Sequence, residues 1–63
     1  MLAKLMAERF DIESESDGTW SVIDNKTGLP YEVVGLLLES IPFWLALDLV
    51  GFLNDVDRQR KPH

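Results

Sequence analysis

The sequence has 63 residues, contains no cysteine and carries a formal net charge of −5. A chain of this length forms one domain at most and buries only about 60% of the surface that its unfolded form exposes. The lack of cysteine excludes disulfides and thiolate metal sites, and the acidic balance argues against binding to nucleic acid, which requires a basic surface. No stretch reaches the ~18 apolar residues of a membrane span, and the first residues do not have the pattern of a secretory signal. We therefore expect a cytoplasmic protein that binds neither nucleic acid nor membrane.

Residues 1–63 are predicted to form a single small α+β domain, in which residues 59–63 are a loose basic tail. Residues 2–9 are predicted to form a short helix of two turns, with Leu2, Leu5 and Met6 on one side. A helix this short is marginal alone, so we expect it to form only where it packs against the rest of the chain.

At Phe10 the hydrophobic period changes to two, which predicts strands over residues 10–15 and 19–24. The length of the turn between them fixes their register. A two-residue loop would place the acidic side chains on the same face as Trp20. A three-residue loop with a left-handed Gly18 instead gathers the apolar side chains on one face, so we predict this loop. Its register pairs Ser14 with Trp20, Ile12 with Val22 and Phe10 with Asp24.

A second turn is predicted from Asn25 to Gly28, with Gly28 in a left-handed closing position and Asp24 capping the turn amides. A third strand over residues 30–34 would follow at the edge of the sheet, where proline is tolerated. The alternative is a helix over residues 29–40 with Pro30 in its first turn. The expected strand pairs are Asp24–Leu29, Val22–Tyr31 and Trp20–Val33.

The segment SIPFWLALDLVGFLNDVDRQR predicts a long C-terminal helix with Pro42 in its first turn and Ser40 as N-cap. Its helical periodicity separates two apolar stripes. Trp44 is predicted to lie with Asp48 on the solvent-exposed side. The stripe assigned to the core comprises Ile41, Leu45, Leu49, Phe52, Leu53 and Val56. The second stripe comprises Phe43, Leu47 and Val50.

The acidic segment around the first turn has the spacing of a calcium loop. Positions one, three, five, six and twelve of that loop would be Glu13, Glu15, Asp17, Gly18 and Asp24. Position one carries Glu where Asp is required, and Asp24 is too short to be the bidentate ligand at position twelve. A calcium loop of this type also follows a helix, whereas the residues before Glu13 have the pattern of a strand. We therefore predict no metal site.

Catalytic side chains are also not evident in the sequence. There is no cysteine nucleophile, and the single histidine is the last residue, His63. Asp11, Glu13 and Glu15 lie on one solvated strand face, whereas acid–base catalysis requires carboxylates in a desolvated pocket. We predict no catalytic residue, no cofactor and no enzymatic activity.

The C-terminal half holds more apolar residues than three strands and one helical stripe can bury. Exposed contiguous apolar surface usually marks an interface, although the N-terminal helix is an alternative cover. The predicted fold is a three-stranded antiparallel meander packed against the C-terminal helix. The predicted function is a non-enzymatic protein-interaction module, self-associating as a homodimer; the alternative is a regulatory or accessory subunit that binds a hetero-partner through the same patch. This apolar patch comprises Leu37, Phe43, Trp44, Leu47 and Val50.

Overall fold

The computed structural model describes residues 8–60. In chain order these residues form β1 (Phe10–Ser14), β2 (Trp20–Asp24), β3 (Leu29–Pro30), β4 (Glu32–Val33), β5 (Leu36–Leu37) and α1 (Phe43–Arg60). The first three strands form an antiparallel sheet in the order β1-β2-β3, and α1 packs against β1 and β2. The predicted α+β class, with a three-stranded antiparallel sheet against a C-terminal helix, is confirmed. The predicted N-terminal helix lies outside the described residues, apart from Glu8 and Arg9, which are not helical.

The hairpin of β1 and β2 has the predicted register. Gly18 has a φ of 88°, and its N–H donates to the Glu15 carbonyl oxygen at 3.2 Å. The Glu15 N–H donates to the Thr19 carbonyl oxygen at 2.8 Å, which closes the loop around a left-handed glycine. This loop length places the apolar residues of both strands on the face that α1 covers. The observed pairs include Ser14–Trp20, Ile12–Val22 and Phe10–Asp24.

The second turn also forms as predicted. Gly28 has a φ of 78°, and the N–H groups of Thr27 and Gly28 donate to the Asp24 carbonyl oxygen at 3.0 and 2.7 Å. The Asp24 carboxylate accepts the Lys26 N–H at 3.0 Å, so its side chain caps the turn. Asp24 pairs with Leu29 across the turn.

The predicted third strand over residues 30–34 is wrong beyond Tyr31. The Tyr31 N–H donates to the Val22 carbonyl oxygen at 2.8 Å, as the predicted pairing requires. The chain then leaves the sheet as the β4–β5 hairpin, which we call the arm (residues 32–37). The Leu38 N–H donates to the Tyr31 carbonyl oxygen at 2.9 Å and closes the base of the arm.

Pairing with β2 resumes after the arm. Trp20 exchanges two backbone hydrogen bonds with Ile41, at 2.7 and 3.0 Å, instead of pairing with Val33. The alternative helix over residues 29–40 is therefore also wrong, because this segment forms β3, the arm and a bridge to β2.

The arm turns at Val34 and Gly35, which both have positive φ, 50° and 78°. Two positive φ values in a two-residue loop are typical of a type I′ turn, which matches the twist of the flanking strands. Such turns usually carry Asn or Asp before the glycine, whereas a β-branched residue is strongly disfavoured there. Because Val34 gives no turn signal, the sequence predicts a strand that ends at Gly35 and misses the hairpin.

The helix α1 begins with Pro42 as its N-cap. The Ala46 N–H donates to the Pro42 carbonyl oxygen at 3.0 Å, the first hydrogen bond of the helix. The prediction of Ser40 as N-cap is wrong: Ser40 has a φ of 58° and donates its N–H to the Glu15 carboxylate at 3.2 Å. At the other end, the helix continues through Gln59 and Arg60, which the sequence prediction assigns to the loose tail.

The face of α1 that meets the sheet matches the predicted core stripe only in part, because Leu49 and Leu53 of that stripe pack against the core together with Val50 of the second stripe. Phe52, predicted in the core, is 64% exposed, and the other five residues of that stripe are half-buried. The buried positions of the helix are Ala46 and Asn54, which hydropathy does not single out. The buried hydrophobic core consists of Phe10, Val22, Leu38 and Ala46, with half-buried Leu49, Val50 and Leu53 of α1 packed against it.

Candidate interaction surface

The structure exposes four of the five residues of the apolar patch. Leu37 and Leu47 are 45% and 46% exposed, Phe43 is 48% exposed and Trp44 is 65% exposed. Val50 is different, because it is half-buried and packs against the core. The accessible part of the patch therefore lies on β5 and on the first turns of α1.

Phe43 is held in place by Trp20. Their ring centroids are 4.9 Å apart, with a 55° angle between the rings. Trp20 in turn exchanges its backbone hydrogen bonds with Ile41, just before the helix begins. The sheet therefore positions both the start of α1 and the Phe43 ring, so this end of the patch packs against the body of the protein.

The arm adds exposed apolar residues that the sequence reasoning did not assign to the interface. Val33 is 40% exposed, Leu36 65% and Val34 99%. Val33 and Leu36 are directly paired, so their side chains share one face of the hairpin. Glu32 and Leu37 form the other pair and share the opposite face. For the turn of this hairpin the sequence offers one local signal, Gly35, because valine at position 34 does not favour a turn.

Most of the exposed apolar residues lie in two segments without charge, which exposed Glu32, Glu39 and Asp48 flank. Residues 33–38 and 40–47 contain no charged side chain, in a chain whose net charge is −5. The outer face of β1 carries Asp11 and Glu13, both exposed. A contact through the arm and the start of α1 would therefore desolvate few charges.

A polar cluster joins three distant segments around Arg9. Its guanidinium donates to both carboxylate oxygens of Asp24, at 3.2 and 3.0 Å, and to Asp57 at 3.3 Å. Hydrogen bonding from Arg9 lowers the pKa of Asp24, and that same bond raises the pKa of Arg9. The guanidinium carbon lies 5.0 Å from the centre of the Phe10 ring and 5.7 Å from that of Tyr31. Because both carboxylates are bonded to Arg9, the cluster is suited to a structural role: it links the start of β1, the end of β2 and α1.

A calcium loop does not match this geometry. Asp24 pairs with Phe10 at the end of the hairpin that lies away from the Asp17 turn, and its carboxylate is bonded to Arg9. Asp17 instead accepts hydrogen bonds from the N–H and hydroxyl of Thr19. Within residues 8–60, no group of three histidine, cysteine or acidic side chains converges to hold a metal ion.

Three comparisons, with family models, with curated proteins and with solved structures, find no match to this chain. Over the part of the chain that the structure describes, no helix is long and apolar enough to cross a membrane. Function must therefore be inferred from the surface itself.

Proposed function

We propose that this chain is a small, non-enzymatic protein-interaction module of the cytoplasm that self-associates as a homodimer. The observation that carries this proposal is the imbalance between core and surface. Within residues 8–60, four hydrophobic side chains are buried, whereas nine large hydrophobic side chains are at least 40% exposed. The exposed set comprises Leu29, Val33, Val34, Leu36, Leu37, Phe43, Trp44, Leu47 and Phe52.

The energetics favour a partner. A core in a chain this small rarely supplies more than ~3–5 kcal/mol, and small domains without disulfides or metals commonly rely on oligomerisation. Removing apolar surface from water gains about 25 cal/mol per Å², so a few hundred Å² is worth several kcal/mol before the entropy of association is subtracted. The gross gain from burying this surface is therefore comparable to the stability that the core supplies.

A second copy of the chain suits this surface. Two copies with the same negative net charge repel, so a homodimer contact is favoured where the acids are fewest. The segments that hold most of the exposed apolar residues, 33–38 and 40–47, carry no charge. A two-fold contact through them would bury hydrophobic area and leave the acidic face of β1 in water.

The molar mass of the native protein, measured by light scattering over a dilution series, tests the proposal. We expect a dimer that dissociates on dilution and a Leu47→Glu variant that stays monomeric. Leu47 is 46% exposed, so circular dichroism of this variant should match the wild type. A wild type that remains monomeric at millimolar concentration would contradict the homodimer. It would favour an accessory subunit that presents the same surface to a different protein.

A further inference from the structure

The backbone hydrogen bonds of the sheet bypass the arm. The Val22 carbonyl oxygen accepts the Tyr31 N–H at 2.8 Å, and the Val22 N–H donates to the Leu38 carbonyl oxygen at 2.9 Å; the Leu38 N–H also donates to the Tyr31 carbonyl oxygen. The hydrogen-bond pattern of the sheet thus continues from Tyr31 to Leu38 across the base of the arm. All six residues of the arm are exposed. The arm therefore gives the monomer little buried surface.

Two unfavourable features coincide at the tip of the arm. Val34 has a φ of 50°, a conformation strongly disfavoured for a β-branched residue, and its side chain is 99% exposed. Asparagine at this position would suit the turn and the solvent better. Backbone strain that the monomer does not need is a common mark of a functional position. The turn does not explain a valine at this position, so we look for a role of its side chain outside the monomer.

We propose that the arm is the contact element of the homodimer, so that this inference rests on the self-association proposed above. The apolar face and tip of the arm of one protomer lie against the start of α1 of the other, and two-fold symmetry repeats the contact. The contributing residues are Val33, Val34 and Leu36 on the arm and Phe43, Trp44 and Leu47 on α1.

The exposed area is sufficient for a second copy. The six side chains are between 40% and 99% exposed. Together they present on the order of 600 Å² per protomer, near the ~800 Å² per partner of a standard interface. The pairing within the arm keeps Glu32 on the opposite face, beside Leu37, so the contact buries no carboxylate from the arm. Both the area and the charge therefore fit a copy of this chain.

Val34→Asn separates a role in contact from a role in the turn. Asparagine followed by Gly35 is a preferred type I′ sequence, so the hairpin should form at least as well as in the wild type. If Val34 contacts the partner, the dimer dissociation constant should rise about tenfold or more, since each dimer loses two buried valines. An unchanged dissociation constant would show that the tip serves only the arm and would overturn the proposed contact.

Leu36 and Phe52 provide a matched pair of substitutions. Their side chains are 65% and 64% exposed, but only Leu36 lies on the proposed contact face. Leu36→Ser should weaken dimerisation, whereas Phe52→Ser should leave the dissociation constant unchanged. Equal effects of the two substitutions would argue against the arm as the contact element.

Because the chain has no cysteine, disulfide trapping can locate the contact directly. Differently tagged Val34→Cys and Leu47→Cys proteins are mixed and oxidised, with the pair Val34→Cys and Phe52→Cys as control. We expect a mixed-tag disulfide only in the first mixture. A wild-type dimer without this cross-link, and with Val34→Asn unaffected, would overturn the arm contact alone. A wild type that is monomeric at every concentration would overturn the homodimer and the arm contact together.

Discussion

Asn54 binds the backbone of Phe10 as a neighbouring strand would. Its side-chain oxygen accepts the Phe10 N–H at 2.9 Å, and its side-chain nitrogen donates to the Phe10 carbonyl oxygen at 3.1 Å. Both backbone groups face the edge of β1 opposite β2, which is the outer edge of the sheet within the described residues, and Asn54 is 6% exposed. One amide from α1 therefore satisfies both hydrogen-bonding groups of a buried residue and fixes the helix against the sheet edge.

Replacing Asn54 with leucine should destabilise the protein although it adds an apolar side chain at a buried position. Both Phe10 backbone groups would lose their partner, and each unsatisfied buried group costs about 1–3 kcal/mol. We expect the free energy of unfolding, measured with urea, to fall by about 2–4 kcal/mol after the gain from burying the leucine side chain is subtracted. Gln59→Ala, on the exposed end of the same helix, is the control and should change stability by less than about 0.5 kcal/mol. A stabilising Asn54→Leu would show that the amide pairing is dispensable.

Stability should fall in acid through Asp24. The pKa of this carboxyl is lowered chiefly by hydrogen bonding from Arg9, and the lowering applies to the folded state. The stabilisation is therefore present above the unfolded pKa, ordinarily near 3.9, and is lost as the pH falls through the lower folded pKa. The pKa of Arg9 is raised above its ordinary value, so its own contribution is lost only in strong alkali.

Asp24→Asn tests this linkage. The variant should be less stable than the wild type at pH 7, and the difference should shrink as the pH is lowered below 4. Urea unfolding at several pH values measures it. A stability difference that stays constant between pH 7 and pH 2 would mean that the ion pair with Arg9 does not contribute.

The first two turns could be predicted because their residues carry local backbone signals. Gly18 and Gly28 stand where the chain needs positive φ, at 88° and 78°, and Asp24 caps the second turn with its own carboxylate. Loop length then determined the register of β1 and β2, because only one register places the apolar side chains together. The turn residues and the burial pattern favour the same register there, so the sequence alone was enough to predict it.

The arm and the orientation of α1 could not be predicted, because the residues that decide them carry no local signal. Val34 takes a turn conformation that its residue type disfavours, so the pattern indicates a continuous strand. Ala46 and Asn54 decide which face of the helix is buried, one by allowing close approach and the other by its amide pairing. Both effects depend on residues far away in the sequence, and hydropathy gives weight to neither.

Two glycines should respond in opposite directions to the same substitution. An added Cβ would meet no atom within 4 Å at either Gly18 or Gly51, so crowding affects neither. Gly18 has a φ of 88°, whereas Gly51 lies inside α1. Gly18→Ala should cost about 1–2 kcal/mol because the left-handed conformation is strained with a side chain. Gly51→Ala should gain about 0.5–1 kcal/mol. Thermal unfolding measures both effects. A destabilised Gly51→Ala would show that another segment or a second copy of the chain packs closely against the helix at this point.

The orientation of α1 can be tested with alanine substitutions on its two sides. Leu49 and Leu53 are half-buried and pack against the core, whereas Phe52 is 64% exposed. Leu49→Ala and Leu53→Ala should each cost about 1–3 kcal/mol, since each removes buried methyl groups from a small core. Phe52→Ala should change stability by less than about 0.5 kcal/mol, although it removes the larger side chain. Urea unfolding under dilute, monomeric conditions makes the comparison without a contribution from association. A loss at Phe52 as large as that at Leu49 would instead place the predicted stripe, and not the observed face, against the sheet.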